Sequence, residues 1–145
     1  EPDEGSNDLV QSVTKVCIAP GMLHGPLRAD CLPLYYTKTT VSVVLSSLAM
    51  LNPKLFDCLS NRGEAALSED APRILCIGLG AGSVPSFLSA SLPGAEILIA
   101  ELEPTVAEAA RTSLGFIESD RMQVMVEDGA MHALNHAKNG GEPFD

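Results

Sequence analysis

The apolar positions of this chain change period along its length. From about Thr37 they fall at helical spacing: Val41, Val44, Leu45, Leu48 and Leu51 form one stripe, and Pro53 marks its stop. From Ile74 onward, short apolar runs are separated by amphipathic stretches. Ile74 to Ile77 reads as a buried strand, Ser83 to Leu92 as a helix with Pro85 tolerated in its first turn, and Ile97 to Ala100 as a second strand. Pro104 opens another helix, with Val106, Ala109, Ala110 and Leu114 facing one side. Met122, Val124 and Val126 alternate, as in a strand nearer a sheet edge. Ala130 to Lys138 reads as a helix ended by Asn139-Gly140-Gly141, and Phe144-Asp145 as the start of a fourth strand.

Repeated strand–helix units predict an α/β fold: a Rossmann-like parallel sheet with flanking helices and right-handed crossovers. The sequence stops at the start of that fourth core strand. It divides into a mobile acidic tail (1–8), a strand or loop with the amphipathic helix and a linker (9–72), and the N-terminal half of a Rossmann-like cofactor-binding domain (73–145). Within the middle part, Val10 to Ile18 alternates loosely as a strand, Pro20 to Pro33 reads as an irregular connection, and Arg62 to Pro72 as a polar linker. Three strands leave the first with an exposed edge. A C-terminal half or a protein partner is expected to cover it.

Composition narrows the function classes. The chain has 145 residues, 46% of them apolar, which fits one globular domain and not a disordered segment. A net charge of −10 argues against nucleic acid as a partner, because binding without sequence preference needs clustered Lys and Arg on phosphates. Membrane insertion is not expected either: the longest apolar stretch, Val41 to Leu51, is too short to span a bilayer. Cys17, Cys31, Cys58 and Cys76 are scattered without a C-x-x-C pair, so no zinc or redox motif is expected, and a reducing, intracellular compartment fits best.

The chemistry concentrates at three points. Gly78, Leu79, Gly80, Ala81 and Gly82 form a G-x-G-x-G turn between strand and helix, where missing Cβ atoms permit unusual dihedrals and close approach of a ligand. The helix that follows points its amides and positive dipole end the same way. Glu101 ends the second strand, about twenty residues on, where a carboxylate can accept both ribose hydroxyls. It can equally flank the next helix, a role open to Glu103 too. Asp128 and Gly129 end the third strand, where Asp128 can lie near an adenine amino group or simply cap the helix at Ala130. Three such points at the ends of successive strands favour a nucleoside-containing cofactor. Ser83 stands where a dinucleotide fingerprint asks for Gly or Ala, and the Gly-Lys-Ser/Thr of a phosphate loop is absent, so S-adenosylmethionine or its decarboxylated analogue is preferred.

The stretch Leu32-Pro-Leu-Tyr-Tyr-Thr37 and the helix to Leu51 resemble the spermidine synthase-like branch of the class I S-adenosylmethionine-dependent methyltransferase superfamily. So do Ile74 to Leu88, Leu92 to Arg111 and Arg121 to Ala130, in the same order and spacing. The resemblance implies that Gly78, Gly80 and Gly82 line the methionine part of the cofactor, that Glu101 holds the ribose, and that Asp128 and Gly129 hold the adenine. Polyamine synthases of that branch carry an acidic Tyr/His motif before the glycine turn, whereas Tyr35-Tyr36 is followed here by Thr37-Lys38. Their catalytic Asp follows the fourth strand, beyond Asp145, so no catalytic residue is assigned.

Methyl transfer is therefore preferred over aminopropyl transfer. The alternatives are a catalytically inactive methyltransferase-like domain serving as a structural subunit, and a nicotinamide-dependent oxidoreductase, which Ser83 disfavours. Several residues read as ordinary structure. His132 and His136, at i and i+4, lack a third ligand and read as surface or half-buried histidines. Glu108 and Arg111 read as a helix-surface pair, Cys76 as a small core hydrophobe, and at least one of Tyr35 and Tyr36 as core packing.

Overall fold

A computed structural model describes residues 12–51, 71–92 and 94–145. The acidic tail, the stop at Pro53 and most of the Arg62 to Pro72 linker lie outside the described residues. The elements run α1 (Tyr35–Leu51), β1 (Arg73–Ile77), α2 (Ser83–Ser91), β2 (Glu96–Glu101), α3 (Pro104–Thr112), β3 (Met122–Val126) and α4 (Gly129–Lys138). The strands form one parallel sheet in the order β1-β2-β3. This is the predicted α/β architecture of a parallel sheet with flanking helices.

One face of the sheet holds the core. Ile74, Ile97, Ile99 and Met122 point into it and meet Leu88 within α2 and Leu92 just after it, Ala107 and Ala110 of α3, and Val41 and Leu48 of α1. Period-two alternation explains why Ile97 and Ile99 are buried while Leu98 between them is only half-buried. The α1 stripe is buried at Val41 and Leu48 and half-buried at Val44 and Leu45, but Leu51 is 77% exposed at the helix end. On α3 the buried residues are Ala107 and Ala110; Ala109, expected on the inner side, faces outward.

The other face is covered by α4. Its first residue, Gly129, is buried because a Cβ there would sit 2.8 Å from Ile77 Cγ2 and 3.3 Å from Ala100 Cβ. The ends of β1 and β2 thus admit the start of this helix only without a side chain. His132 and His136 stack at 5.9 Å between centroids, and Phe144 lies 4.8 Å from His136. His132 Nδ1 is 2.6 Å from Glu127 Oε1. Arg73 reaches Glu142 and lies over the Phe144 ring.

Two expectations meet a different arrangement. Residues 12–18 form no continuous strand; their pairing is a single antiparallel bridge, Val16 with Leu27, flanked by bonds from Cys17 N to Pro26 O and from Arg28 N to Lys15 O. Loose alternation without a partner strand of matching length yields a bridge and no ladder. Arg111 pairs with Glu118, brought back by the loop after α3, and not with Glu108. At the other end of the chain, Asp145 N donates to Arg73 O at 2.9 Å. Pro72 O and Gly78 N, just outside the two ends of β1, bond to β2, so alternation turns Arg73, Leu75 and Ile77 to the opposite edge. Asp145 therefore touches β1 where a fourth strand would pair.

Ile99 is fully buried in the central strand. Replacing it with Ala removes contacts on both sides of the core layer and is expected to cost about 2–5 kcal/mol. Urea denaturation monitored by circular dichroism measures this loss; a change below about 1 kcal/mol would contradict the core as described.

Candidate functional site

The glycine turn has a separate physical reason at each glycine. Gly78, Gly80 and Gly82 all have positive φ, at 90°, 54° and 77°. A Cβ on Gly82 would lie 2.3 Å from the Phe116 ring, so this glycine serves packing beneath the turn. One on Gly80 would come within 3.2 Å of Ser12 Oγ. Beside Gly78 there is nothing within 4 Å, so this glycine borders open space. The turn closes with Gly82 N donating to Leu79 O at 2.9 Å, and Gly78 N donates to Ala100 O at 2.8 Å.

Glu101 is only 7% exposed. Its Oε2 accepts from Leu79 N at 2.8 Å and its Oε1 from Glu103 N at 3.0 Å. Burial alone would push this carboxyl up, but amides of Glu103, Leu79, Gly80 and Leu102 together hold it below the usual carboxylate range. Glu101 thus flanks the next helix, one of its two expected roles, and it also braces the glycine turn, a role its position in the sequence did not suggest.

Asp128 caps α4, its Oδ1 accepting from Ala130 N at 2.8 Å and Met131 N at 3.1 Å. Both bonds fall on one oxygen, and the residue is exposed. The register sets Glu101 opposite Val126, two residues before Asp128, so both carboxylates occupy the same end of the sheet as the turn. Gly129 is there for the packing reason given above. Sequence reasoning passed over the exposed apolar residues on this rim: Ile77 at 66%, Leu102 at 62% and Val126 at 49%. Their signal was positional, an apolar residue at or just past the end of each strand, where no described residue buries it.

A cleft of about 430 Å3 opens beside the turn. Gly78 to Ala81, Ser12 and Val13, and Tyr36, Thr37 and Thr40 of α1 contribute to its wall. Neither Glu101 nor Asp128 lines it, so cleft and carboxylates flank the turn. Tyr36 lies at the cleft and is 59% exposed, and Tyr35 is 87% exposed; neither is the core residue that was expected. Cys76 on the adjoining strand is half-buried, and burial pushes its thiol up to about 11.

No family model matches the chain. It is 32% identical over 103 residues to the eEF1A lysine and N-terminal methyltransferase of Danio rerio, a match covering 71% of this chain and 14% of that protein. The Mus musculus protein of the same name is 40% identical over 84 residues, covering 58% of this chain and 12% of that one. The crystal structure of human methyltransferase-like protein 13 in complex with SAH superposes with a TM-score of 0.55 at 32% identity, over 70% of this chain and 41% of that chain. The fold is that of a Rossmann-like methyltransferase domain. A polyamine aminopropyltransferase of Vibrio vulnificus is also similar, 36% identical over 73 residues, covering 50% of this chain and 24% of that protein. The chain therefore spans a small fraction of each curated relative. Among the described residues no helix is long and apolar enough to cross a membrane.

The depressed Glu101 carboxyl has a direct consequence for pH stability. A group whose folded pKa lies below its unfolded value contributes stability above the unfolded value and loses it as pH falls through the folded one. Stability should therefore decline below about pH 4.5 as Glu101 takes up a proton. Glu101→Gln should be less stable at neutral pH and show a shallower decline over that acid range. Thermal melts of both proteins from neutral pH downward test this, and parallel pH profiles would contradict the bracing role.

Proposed function

We propose that this chain is the cofactor-binding part of an S-adenosylmethionine-dependent methyltransferase of the spermidine synthase-like branch. The observation that carries this reading is Glu101, buried at the end of β2, bonded to the glycine turn and set at the same sheet end as Asp128. The site fits the group: Gly78 borders open space, the Glu101 and Asp128 carboxylates stand at the same end of the sheet, and the rim offers the apolar faces of Ile77, Leu102 and Val126. In this reading Glu101 holds the ribose hydroxyls, Asp128 and Gly129 the adenine edge, and Gly78, Leu79, Gly80, Ala81 and Gly82 the methionine part toward the cleft. When bound, the cofactor supplies a methyl group on a cationic sulfur, which a nucleophile displaces in line.

The protein's part in such a reaction is alignment and exclusion of water, not proton transfer to a leaving group. Similarity to proteins named for lysine and N-terminal methylation, and to one named for polyamines, supports an amine as the acceptor. Glu101, Glu103, Glu127 and Asp128 at one end of the sheet suit a cationic cofactor and a basic acceptor. Aminopropyl transfer is the second reading, favoured by the Vibrio vulnificus match. In either case this reading includes a further strand, from this polypeptide or a partner, along the edge of β1 that Asp145 meets.

S-adenosylhomocysteine should bind with a dissociation constant in the micromolar range, measured by titration calorimetry. Glu101→Gln is expected to weaken it about tenfold or more, since a hydrogen bond to a charged group is worth roughly 1.5–3 kcal/mol. Asp128→Asn retains a cap and should bind within a few-fold of the unmodified chain, whereas Asp128→Ala loses about 1 kcal/mol of stability as well. Preference for 5′-methylthioadenosine over S-adenosylhomocysteine would favour aminopropyl transfer, and binding of neither would sink both readings.

A further inference from the structure

The glycine turn has a partner that the cofactor reading does not use. Ala81 N donates to Ser12 Oγ at 2.9 Å, and Ser83 Oγ donates to Val13 O at 3.3 Å. These two bonds fasten residues 12 and 13 across the turn. A side chain at Gly80 would crowd Ser12 Oγ, so the close approach depends on that glycine. From Lys15 onward the same segment is anchored by its bonds to Pro26 and Arg28, and Leu27 N donates in turn to Gly115 O. Gly115 is itself packed against Gly25 O, where a Cβ would come within 2.4 Å.

We propose that Ser12 is a positioning residue: docking of residues 12 and 13 as a strap on the glycine turn sets the affinity for the cofactor, an inference that rests on the S-adenosylmethionine reading. The geometry makes the strap a wall and not a plug. Ser12 and Val13 line the cleft together with Gly78 to Ala81, and about 430 Å3 stays open beside them. A ligand in that cleft touches turn and strap at once. With Ser12 in place the Ala81 amide is already oriented and satisfied, so binding does not have to order the turn.

The strap is also lightly held. Ser12 and Val13 are exposed, and the buried Thr14 hydroxyl has no hydrogen-bond partner among the described residues. Because coupling between two binding events is reciprocal, a cofactor that is helped by the docked strap must dock the strap by the same factor.

The test combines calorimetry with S-adenosylhomocysteine, hydrogen exchange at the Ala81 amide, and thermal melting, on the unmodified chain, Ser12→Ala and Ser12→Thr. Ser12→Ala should weaken binding roughly three- to tenfold, the size of one hydrogen bond, with little change in melting temperature. Ser12→Thr retains the acceptor hydroxyl and should restore affinity to within about twofold. In the unmodified chain, ligand should slow exchange at Ala81, and Ser12→Ala should speed it. Equal or tighter binding by Ser12→Ala overturns the strap alone, tighter binding meaning that the hydroxyl competes with the ligand. Absence of binding by the unmodified chain overturns the cofactor reading and this inference with it. If Ser12→Ala melts early, affinity that Ser12→Thr fails to restore at full stability counts equally against the proposal.

Discussion

A carboxylate removed from water must be given donors in place of solvent, or it takes up a proton. Glu101 meets that demand at the end of the central strand with amides from two different connections. Leu79 belongs to the turn between β1 and α2, and Glu103 to the approach to α3. One side chain thereby fixes both connections relative to the sheet. The turn could otherwise vary widely, because residues without a Cβ have the largest conformational space to lose. The shape of the site follows from this constraint more than from the glycines themselves, which permit the turn without dictating it.

The same end of the sheet concentrates negative charge. Parallel strands place every strand-to-helix connection on one side, so Glu101, Glu103, Glu127 and Asp128 gather there without any sequence contiguity between β2 and β3. Helix amino termini partly offset this. Asp128 sits at the start of α4, where two amides donate to its carboxylate, and His132 one turn later faces Glu127. What remains unbalanced suits a positively charged ligand. The chain's overall charge of −10 points the same way but, being spread over the surface, has no directional force of its own.

Much of the fold was legible in the sequence because the strands are short and wholly apolar on their inner side. Ile74, Ile97, Ile99 and Met122 announced the parallel sheet, and the helix limits at Ser83, Pro104 and Lys138 agree with the structure. Legibility failed where the deciding partner is distant in sequence. Arg111 has a neighbour three residues away and a better-placed one after the loop, and only the fold selects Glu118. Ala107 and Ala109 are identical in size and polarity, so periodicity alone does not choose between them for the inner face of α3. Asp128 was ambiguous for a deeper reason: an aspartate between a strand and a helix satisfies a cap and a ligand by the same position, and the structure shows it capping. Tyr35 and Tyr36 are apolar enough to be read as core, yet the helix turns both outward, one of them to the cleft.

Ser83 joins these threads. In a dinucleotide-binding turn its place is taken by Gly or Ala, so that the helix can pack closely on the strand. Here the residue is 7% exposed, so the helix packs closely in spite of the hydroxyl. A buried hydroxyl is tolerated only where it finds an acceptor, and Val13 O supplies one from outside the sheet. The departure from the dinucleotide pattern is therefore matched to a segment that lies far ahead in sequence. Gly80 is matched to it as well, through Ser12, while Gly82 answers to Phe116 and Gly78 to open space. The three glycines look equivalent in the G-x-G-x-G pattern, but each meets a different neighbour. Of the three, only Gly78 has no described atom within 4 Å of an added Cβ, but its φ of 90° would strain any side chain there, and one at Gly82 would in addition clash with Phe116.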